Sequence, residues 1–302
     1  MMKIVILGST GQVGGMLAEV LAQRPEYVTK TVGRRDADLL WTDGALDSLQ
    51  RLIEAEQADV VINAIAYTAV DKAESEQAQA FILNSDLPGR LADICQSMEA
   101  LLIHYSTDFV FDGLKEGAWL ETDETNPLSV YGKSKLAGEK AIQMAHCAAL
   151  ILRTSWVYGE TGNNFVKTML RLGKERDTLG VVADQRGCPT YSRDIAHATI
   201  TLVDAYATNT TKFVHRQQIY HLSGHGQTTW HGFADAIFAG AAQYEALALT
   251  TLNAIATEDY PTPAVRPPNS VLNCSKLQAD FGIVMPDWQT SLTGCLQRLY
   301  QR

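Results

Sequence analysis

A glycine triplet directly behind a short apolar run most constrains what this chain can fold into. Lys3-Ile4-Val5-Ile6-Leu7 leads into Gly8-Ser9-Thr10-Gly11-Gln12-Val13-Gly14, a G-x-x-G-x-x-G pattern set between a buried-strand candidate and an amphipathic stretch. In such a strand–turn–helix unit the glycines have separate tasks. Gly8 permits the tight turn, Gly11 admits a pyrophosphate to the backbone, and Gly14 lets helix and strand pack closely. The helix N-terminus then offers the anion free N–H groups and the favourable end of its dipole. Thr10, Gln12 and Val13 belong to the same loop and are expected to line the cofactor with the glycines.

The rest of the first half continues the alternation. Apolar runs at Val28–Val32, Val60–Ala64, Leu101–Tyr105 and Ala149–Arg153 predict strands. Helical patterns fall at Gln12–Gln23, Leu46–Ala55, Glu76–Ser97 and Tyr131–Ala145. Strands that are apolar throughout belong to a parallel sheet covered on both faces, and strand–helix alternation implies a doubly wound α/β Rossmann sheet. The second half is less regular. It predicts helices at Ile195–Tyr206, Gly232–Ala242 and Asp287–Tyr300, a strand at Ile219–Leu222, and an extended loop where prolines crowd residues 261–268. The expected division is a dinucleotide-binding domain of residues 1–157 plus about 185–222, and a smaller mixed α/β substrate-binding lobe of about 158–184 plus 223–302.

Composition narrows the partners. A net charge of −9 argues against a general nucleic-acid binder, while a few local arginines still suffice for a small phosphorylated ligand. The five cysteines form no C-x-x-C pair, which suggests free thiols in a reducing compartment. The apolar run near the N-terminus is too short for a signal peptide, and no stretch approaches membrane-span length. A cytoplasmic enzyme without membrane or nucleic-acid partners is expected.

Where the second strand ends, Thr31-Val32-Gly33-Arg34-Arg35 replaces the acidic residue that reads an NAD ribose. Arg34 and Arg35 suit a 2′-phosphate, which favours NADPH with NADH as the alternative; a solvated basic turn is the other reading. Asp38 and Leu39 are placed beside the adenine. Ala64, Ile65, Ala66 and Tyr67 follow the third strand, at the sheet edge where ligands sit in such folds; simple strand-end packing explains them equally well.

Tyr131-Gly132-Lys133-Ser134-Lys135 puts a phenol and an ammonium on one helical face. A free tyrosine has a pKa near 10, and a neighbouring ammonium favours its phenolate. Tyr131 is the candidate acid for an oxyanion formed by hydride addition to a carbonyl. Lys135 is the candidate to tune it and to hold the nicotinamide ribose. Thr107, at the end of the fourth strand, is placed on the substrate oxygen, with Asp108 beside it.

Together, Gly8-x-x-Gly11-x-x-Gly14, Ser106-Thr107-Asp108 and Tyr131-x-x-x-Lys135 resemble the extended short-chain dehydrogenase/reductases. Further segments narrow the resemblance to the dTDP-4-dehydrorhamnose reductases. They are residues 69–74 (AVDKAE), 106–113 (STDFVFDG), 153–159 (RTSWVYG) and 164–169 (NFVKTM), followed by Asp184-Gln185-x-Gly187-x-Pro189-Thr190 and Arg266-Pro267-x-x-Ser270. The resemblance implies reduction of the C4 ketone of a dTDP-linked 4-keto sugar by NADPH. It implies Thr107, Tyr131 and Lys135 as catalytic residues, and Trp156, Val70, Asn84 and Arg266 as substrate contacts; a guanidinium such as Arg266 suits a diphosphate. Some members join subunits through a divalent cation held by glutamates. Met16, Arg193 and Gln289 align there and are poor hard-cation ligands, so no metal is expected, and the chain is read as a monomer or homodimer. Two competing readings are a nucleotide-sugar epimerase or dehydratase and a non-catalytic NADP-binding regulatory subunit. The complete Thr107/Tyr131/Lys135 set counts against the latter.

Overall fold

A computed structural model describes residues 1–33, 45–209, 213 and 217–301. Along the Rossmann half the order is β1 (Met2–Leu7), α1 (Gln12–Leu21), β2 (Tyr27–Val32), α2 (Ala45–Glu56), β3 (Val60–Asn63), α3 (Gln77–Phe81), α4 (Leu87–Met98), β4 (Leu101–Thr107), α5 (Val130–Met144) and β5 (Ala149–Thr154). Then come α6 (Phe165–Glu175), β6 (Thr178–Val182), α7 (Ser192–Thr208), β7 (Gln217–His221), α8 (Trp230–Ala241), β8 (Thr251–Ile255), α9 (Ser275–Phe281) and α10 (Trp288–Gln301).

The main sheet has six strands in the order β7-β5-β4-β3-β1-β2, each neighbouring pair parallel. Its two faces are covered by different helices. On one, Ile4, Ile6, Ile62 and Ile103 pack with Leu17 and Leu21 of α1 and with Ile195 and Leu202 of α7. On the other, Val5, Leu7, Val61 and Ile151 pack with Ile53 of α2, Leu91 of α4 and Ile142 of α5. This two-sided burial is why every residue of β4 and β5 is buried and why these runs do not alternate in polarity. A separate core forms the smaller lobe, with Tyr158, Val166, Met169, Leu179, Phe233, Ile237, Trp288 and Leu292 at its centre. β6 and β8 pair in parallel beside it.

Three sequence expectations need correction. The continuous helix over Glu76–Ser97 is broken: α3 passes into a π-helical turn, Ile82–Asp86, before α4 resumes. Pro88 lacks the N–H that an α-helix would send to the Asn84 carbonyl, so the ladder opens at that point. Second, the fourth strand, drawn as Leu101–Tyr105, extends to Thr107, and the candidate hydroxyl stands at the strand end as expected. Third, α6, β6, β8 and α9 had no counterpart in the sequence reading. Leu277 of α9, with Ile283 and Met285, joins the core of the main sheet, so that part of residues 223–302 packs against the dinucleotide-binding half. The proline-crowded loop is non-helical as expected. It is tied to Arg186, whose N–H donates to the Pro268 carbonyl at 2.8 Å and whose carbonyl accepts from Ser270 N–H at 2.8 Å.

Candidate active site

The glycine loop is built as its spacing demands. Gly8 has φ +86° and donates its N–H to Val32 O at 2.8 Å. A Cβ at Gly8 would lie 2.9 Å from the Ala64 carbonyl carbon, and one at Gly14 would lie 2.3 Å from Gly8 O. Gly11, exposed, is the N-cap of α1 with no side-chain cap, and a Cβ there would meet only Gly8 O, at 3.3 Å. The loop therefore leaves an uncapped helix N-terminus open beside the half-buried row Ala64, Ile65, Ala66 and Tyr67, a cradle that fits a dinucleotide pyrophosphate. Val13 is half-buried and Thr10 exposed on the same loop. The carboxamide of Gln12 accepts from Asn164 Nδ2 at 2.9 Å, so it also braces the loop against the N-cap of α6. Arg34, Arg35, Asp38 and Leu39 lie outside the described residues. Gly14→Ala is expected to destabilise the fold by about 1–3 kcal/mol and to weaken dinucleotide binding. Thermal melting and a fluorescence titration check this, and an unchanged variant would contradict the packing role.

The candidate catalytic groups converge at the carboxyl end of β4. Thr107 is buried, donates to Asp108 Oδ1 at 2.9 Å and accepts from Phe109 N–H at 3.2 Å. Tyr131 lies in the first turn of α5, which Ser129 caps by accepting from Gly132 N–H at 3.2 Å; Glu74 accepts from Val130 N–H at 2.8 Å. Only glycine fits at 132, because a Cβ would stand 2.3 Å from Phe109 O. That close approach brings the Tyr131 ring edge-on to Phe109, with centroids 5.5 Å apart. Burial pushes the Tyr131 hydroxyl up to about 12; the neighbouring Thr107 hydroxyl opposes the rise and the Asp108 charge adds to it. Burial likewise raises the Asp108 carboxyl to about 6.

The Lys135 ammonium is not among the groups that shift the Tyr131 hydroxyl in this structure. Instead Nζ turns inward, donates to Tyr105 O at 2.6 Å and lies 3.3 Å from His104 Nε2. Burial lowers it to about 8, partly opposed by Glu139 one turn along. Glu139 accepts from Arg153 Nε at 2.9 Å, from Arg153 Nη2 at 2.7 Å and from Ser106 Oγ at 2.5 Å, and both ionic partners are almost wholly buried. Sequence reasoning missed this network. Its signals were a histidine inside an apolar strand and a glutamate one helical turn past the lysine.

The expected substrate contacts divide. Trp156 is half-buried with φ +45°, a backbone conformation that costs on the order of 1–3 kcal/mol for a bulky residue and is typical of functional positions. Its indole stacks on Trp230 with centroids 3.6 Å apart and lies against Gly187, where a Cβ would come within 2.3 Å. Val70 is half-buried at the start of a helical turn, Val70–Ala73. Asn84 has no exposed surface. Its side chain accepts from Tyr67 N–H at 2.8 Å and donates to Tyr67 O and Ser134 Oγ, so it holds the strand-end loop and α5 in place. Arg266 is engaged with Asp71 through two hydrogen bonds of 3.1 and 2.9 Å, which clasp the proline-crowded loop to the Rossmann half.

Among the described residues no group of three or more His, Cys, Asp and Glu stands close enough to hold a metal ion. Met16 is buried in the sheet core, Arg193 pairs with Glu19 at 2.7 Å and Gln289 is exposed. No helix among those residues is long and apolar enough to cross a membrane. A cavity of about 340 Å³, lined by Ser223, His225, Asn273 and Cys274 among others, touches none of the candidate catalytic residues.

The model of the RmlD substrate binding domain family matches residues 2–301. The chain is 45% identical over 303 residues to a dTDP-4-dehydrorhamnose reductase from Shigella flexneri, covering 99% of this chain and 98% of the relative. It is 43% identical over 304 residues to one from Burkholderia thailandensis, covering 99% of each. Among solved structures, a dTDP-4-dehydrorhamnose reductase from Bacillus anthracis in complex with NADP superposes with a TM-score of 0.88 at 33% identity, covering 98% of this chain and 99% of that one.

Proposed function

The chain belongs to the dTDP-4-dehydrorhamnose reductase family, and on that premise we propose that it reduces the C4 keto group of dTDP-4-dehydro-L-rhamnose to give dTDP-L-rhamnose, with NADPH as the reductant. The observation that carries this reading is the convergence of two groups on Phe109 at the end of β4, the Thr107 hydroxyl through the Phe109 backbone N–H and the Tyr131 ring through an edge contact, beside the cradle of Gly8, Gly11 and Gly14.

The residues have distinct tasks. Gly8, Gly11 and Gly14 would hold a dinucleotide whose reduced nicotinamide, when bound, would supply the hydride for the keto carbon. Tyr131 gives its phenolic proton to the oxygen that gains charge, completing the alcohol. Its raised pKa suits this direction, because the phenol is fully protonated at neutral pH. Thr107 turns its hydrogen from Asp108 to the same oxygen and stabilises the developing charge. Lys135, as an ammonium, steadies the phenolate left behind and holds the nicotinamide ribose; solvent then reprotonates Tyr131. Trp156 supplies an aromatic wall for the sugar, and Arg266 is a candidate for the diphosphate once Asp71 releases it. The division of labour is a dinucleotide-binding half on the six-stranded sheet and a sugar-binding lobe around Trp156 and α8.

Incubating the purified protein with dTDP-4-dehydrorhamnose and NADPH tests the reading. Loss of the reduced-nicotinamide absorbance with formation of dTDP-rhamnose is expected, and no consumption with this sugar would remove it. The 2′-phosphate assignment has its own test. Arg34→Ala is expected to weaken NADPH about tenfold, the size of one lost charge-assisted contact, and NADH hardly at all. Equal losses would retire it.

A further inference from the structure

Beneath the candidate site two buried polar residues that the proposed mechanism does not use lead up to Lys135. Asn63 ends β3 and stands beside His104 of β4 in the sheet register; neither has any exposed surface. Asn63 Oδ1 accepts the Ile65 N–H at 3.0 Å. That bond fixes which end of the amide points where, so the Nδ2 end faces His104 Nδ1, 3.0 Å away. An amide NH₂ only donates, so Nδ1 must accept, and the ring proton of a neutral imidazole must sit on Nε2. Nε2–H points at Lys135 Nζ, 3.3 Å away. A donor meeting an ammonium makes no hydrogen bond, whereas a neutral amine has the lone pair to accept one.

We propose that His104 is a positioning residue for Lys135: held by Asn63 as the Nε2–H tautomer, it grips the lysine only as a neutral amine, and protonation of the lysine breaks that grip. The other groups around Nζ agree. Tyr105 O accepts from the lysine in either state. Glu139, on the same helix, favours the ammonium, but its charge is shared with Arg153 of β5 and Ser106 of β4. Burial disfavours a charge on His104 as well as on Lys135, so the imidazole stays neutral while the lysine titrates. The pair also reaches the cofactor side, because the amide that orients Asn63 is that of Ile65, in the row beside the glycine loop. The consequence for turnover rests on the proposed role of Lys135; the tautomer and its hold on the amine do not.

The test is nitrogen-15 NMR on full-length protein labelled at histidine and lysine, with Lys135→Met used to assign the lysine signal. The expected result is a neutral His104 protonated at Nε2 through the neutral pH range. His104→Asn keeps a partner for Asn63 but offers nothing to the lysine, and it should raise the Lys135 titration point by about half to one pH unit, the worth of one hydrogen bond. His104→Gln puts an amide nitrogen where Nε2 was and should keep the parental value. In assays, the alkaline limb of kcat should move upward with the Asn variant and stay in place with Gln. An Nδ1-protonated or charged ring in the parent protein, which needs no variant to fold, would overturn the proposal. So would a Lys135 titration that is the same in the Asn variant and the parent. If the tautomer and the titration shift are found but no keto-sugar is reduced, the proposed function fails and this inference stands.

Discussion

Tyr131→Phe is expected to lower kcat by about 10²- to 10⁴-fold, the usual worth of a positioned general acid, while NADPH affinity stays close to the parent value. The substitution removes one oxygen and keeps the ring, so the edge contact with Phe109 and the first turn of α5 survive. Hydride addition without a proton for the oxygen leaves an alkoxide in a buried site, where charge is costly. Steady-state kinetics with a fluorescence titration of NADPH separates the outcomes. A large loss of cofactor affinity would make Tyr131 a binding or structural residue, and near-parental kcat would exclude it as the acid. The pH dependence follows from the raised pKa. Burial lifts Tyr131 to about 12, so below that value the phenol is protonated and ready to donate. The reverse oxidation needs the phenolate, and its rate should climb with pH through the range where reduction holds steady.

Arg153→Met is expected to destabilise the protein by about 3–5 kcal/mol, the cost of stranding one member of a buried ion pair. Arg153 and Glu139 are 2% and 1% exposed, and Arg153 also lies over the Phe111 ring at 5.1 Å. Without the guanidinium, Glu139 keeps only Ser106 as a hydrogen-bond partner among these groups, in a region closed to water. The effect would reach the site, because Glu139 follows Lys135 by one helical turn. Denaturant unfolding of Arg153→Met, of Glu139→Gln and of the double variant checks this. The double variant should recover part of the loss. A single-variant cost below about 1 kcal/mol would mean that the pair behaves like an exposed one.

Legibility of the chain followed the range of the interactions. The inner strands β1, β3, β4 and β5 were readable because burial on both faces leaves a nearly uninterrupted apolar run, and the glycine loop because its three positions answer to local sterics. The Tyr131/Lys135 helix was readable from its four-residue spacing. What escaped depends on partners far along the chain. The direction of Lys135 is decided by His104 and Tyr105, some thirty residues earlier. The ion pair of Arg266 is decided by Asp71, 195 positions away. The bonds that the Asn84 carboxamide makes to Tyr67 and Ser134 were not foreseen. The π turn needed both Pro88 and the demands on Asn84 to be seen together. In the smaller lobe β6 and β8 are five residues each and, among the described residues, pair only with one another, too short to stand out from the surrounding loops by periodicity.

The most direct test of the proposed reaction is to locate the transferred hydride. Reduction of dTDP-4-dehydrorhamnose with NADPH deuterated at the transferable C4 position, followed by NMR of the product, should place one deuterium on C4 of the rhamnose ring. A sugar without deuterium, or with deuterium at another ring carbon, would contradict hydride delivery to the C4 ketone and with it the roles assigned to Thr107, Tyr131 and Lys135.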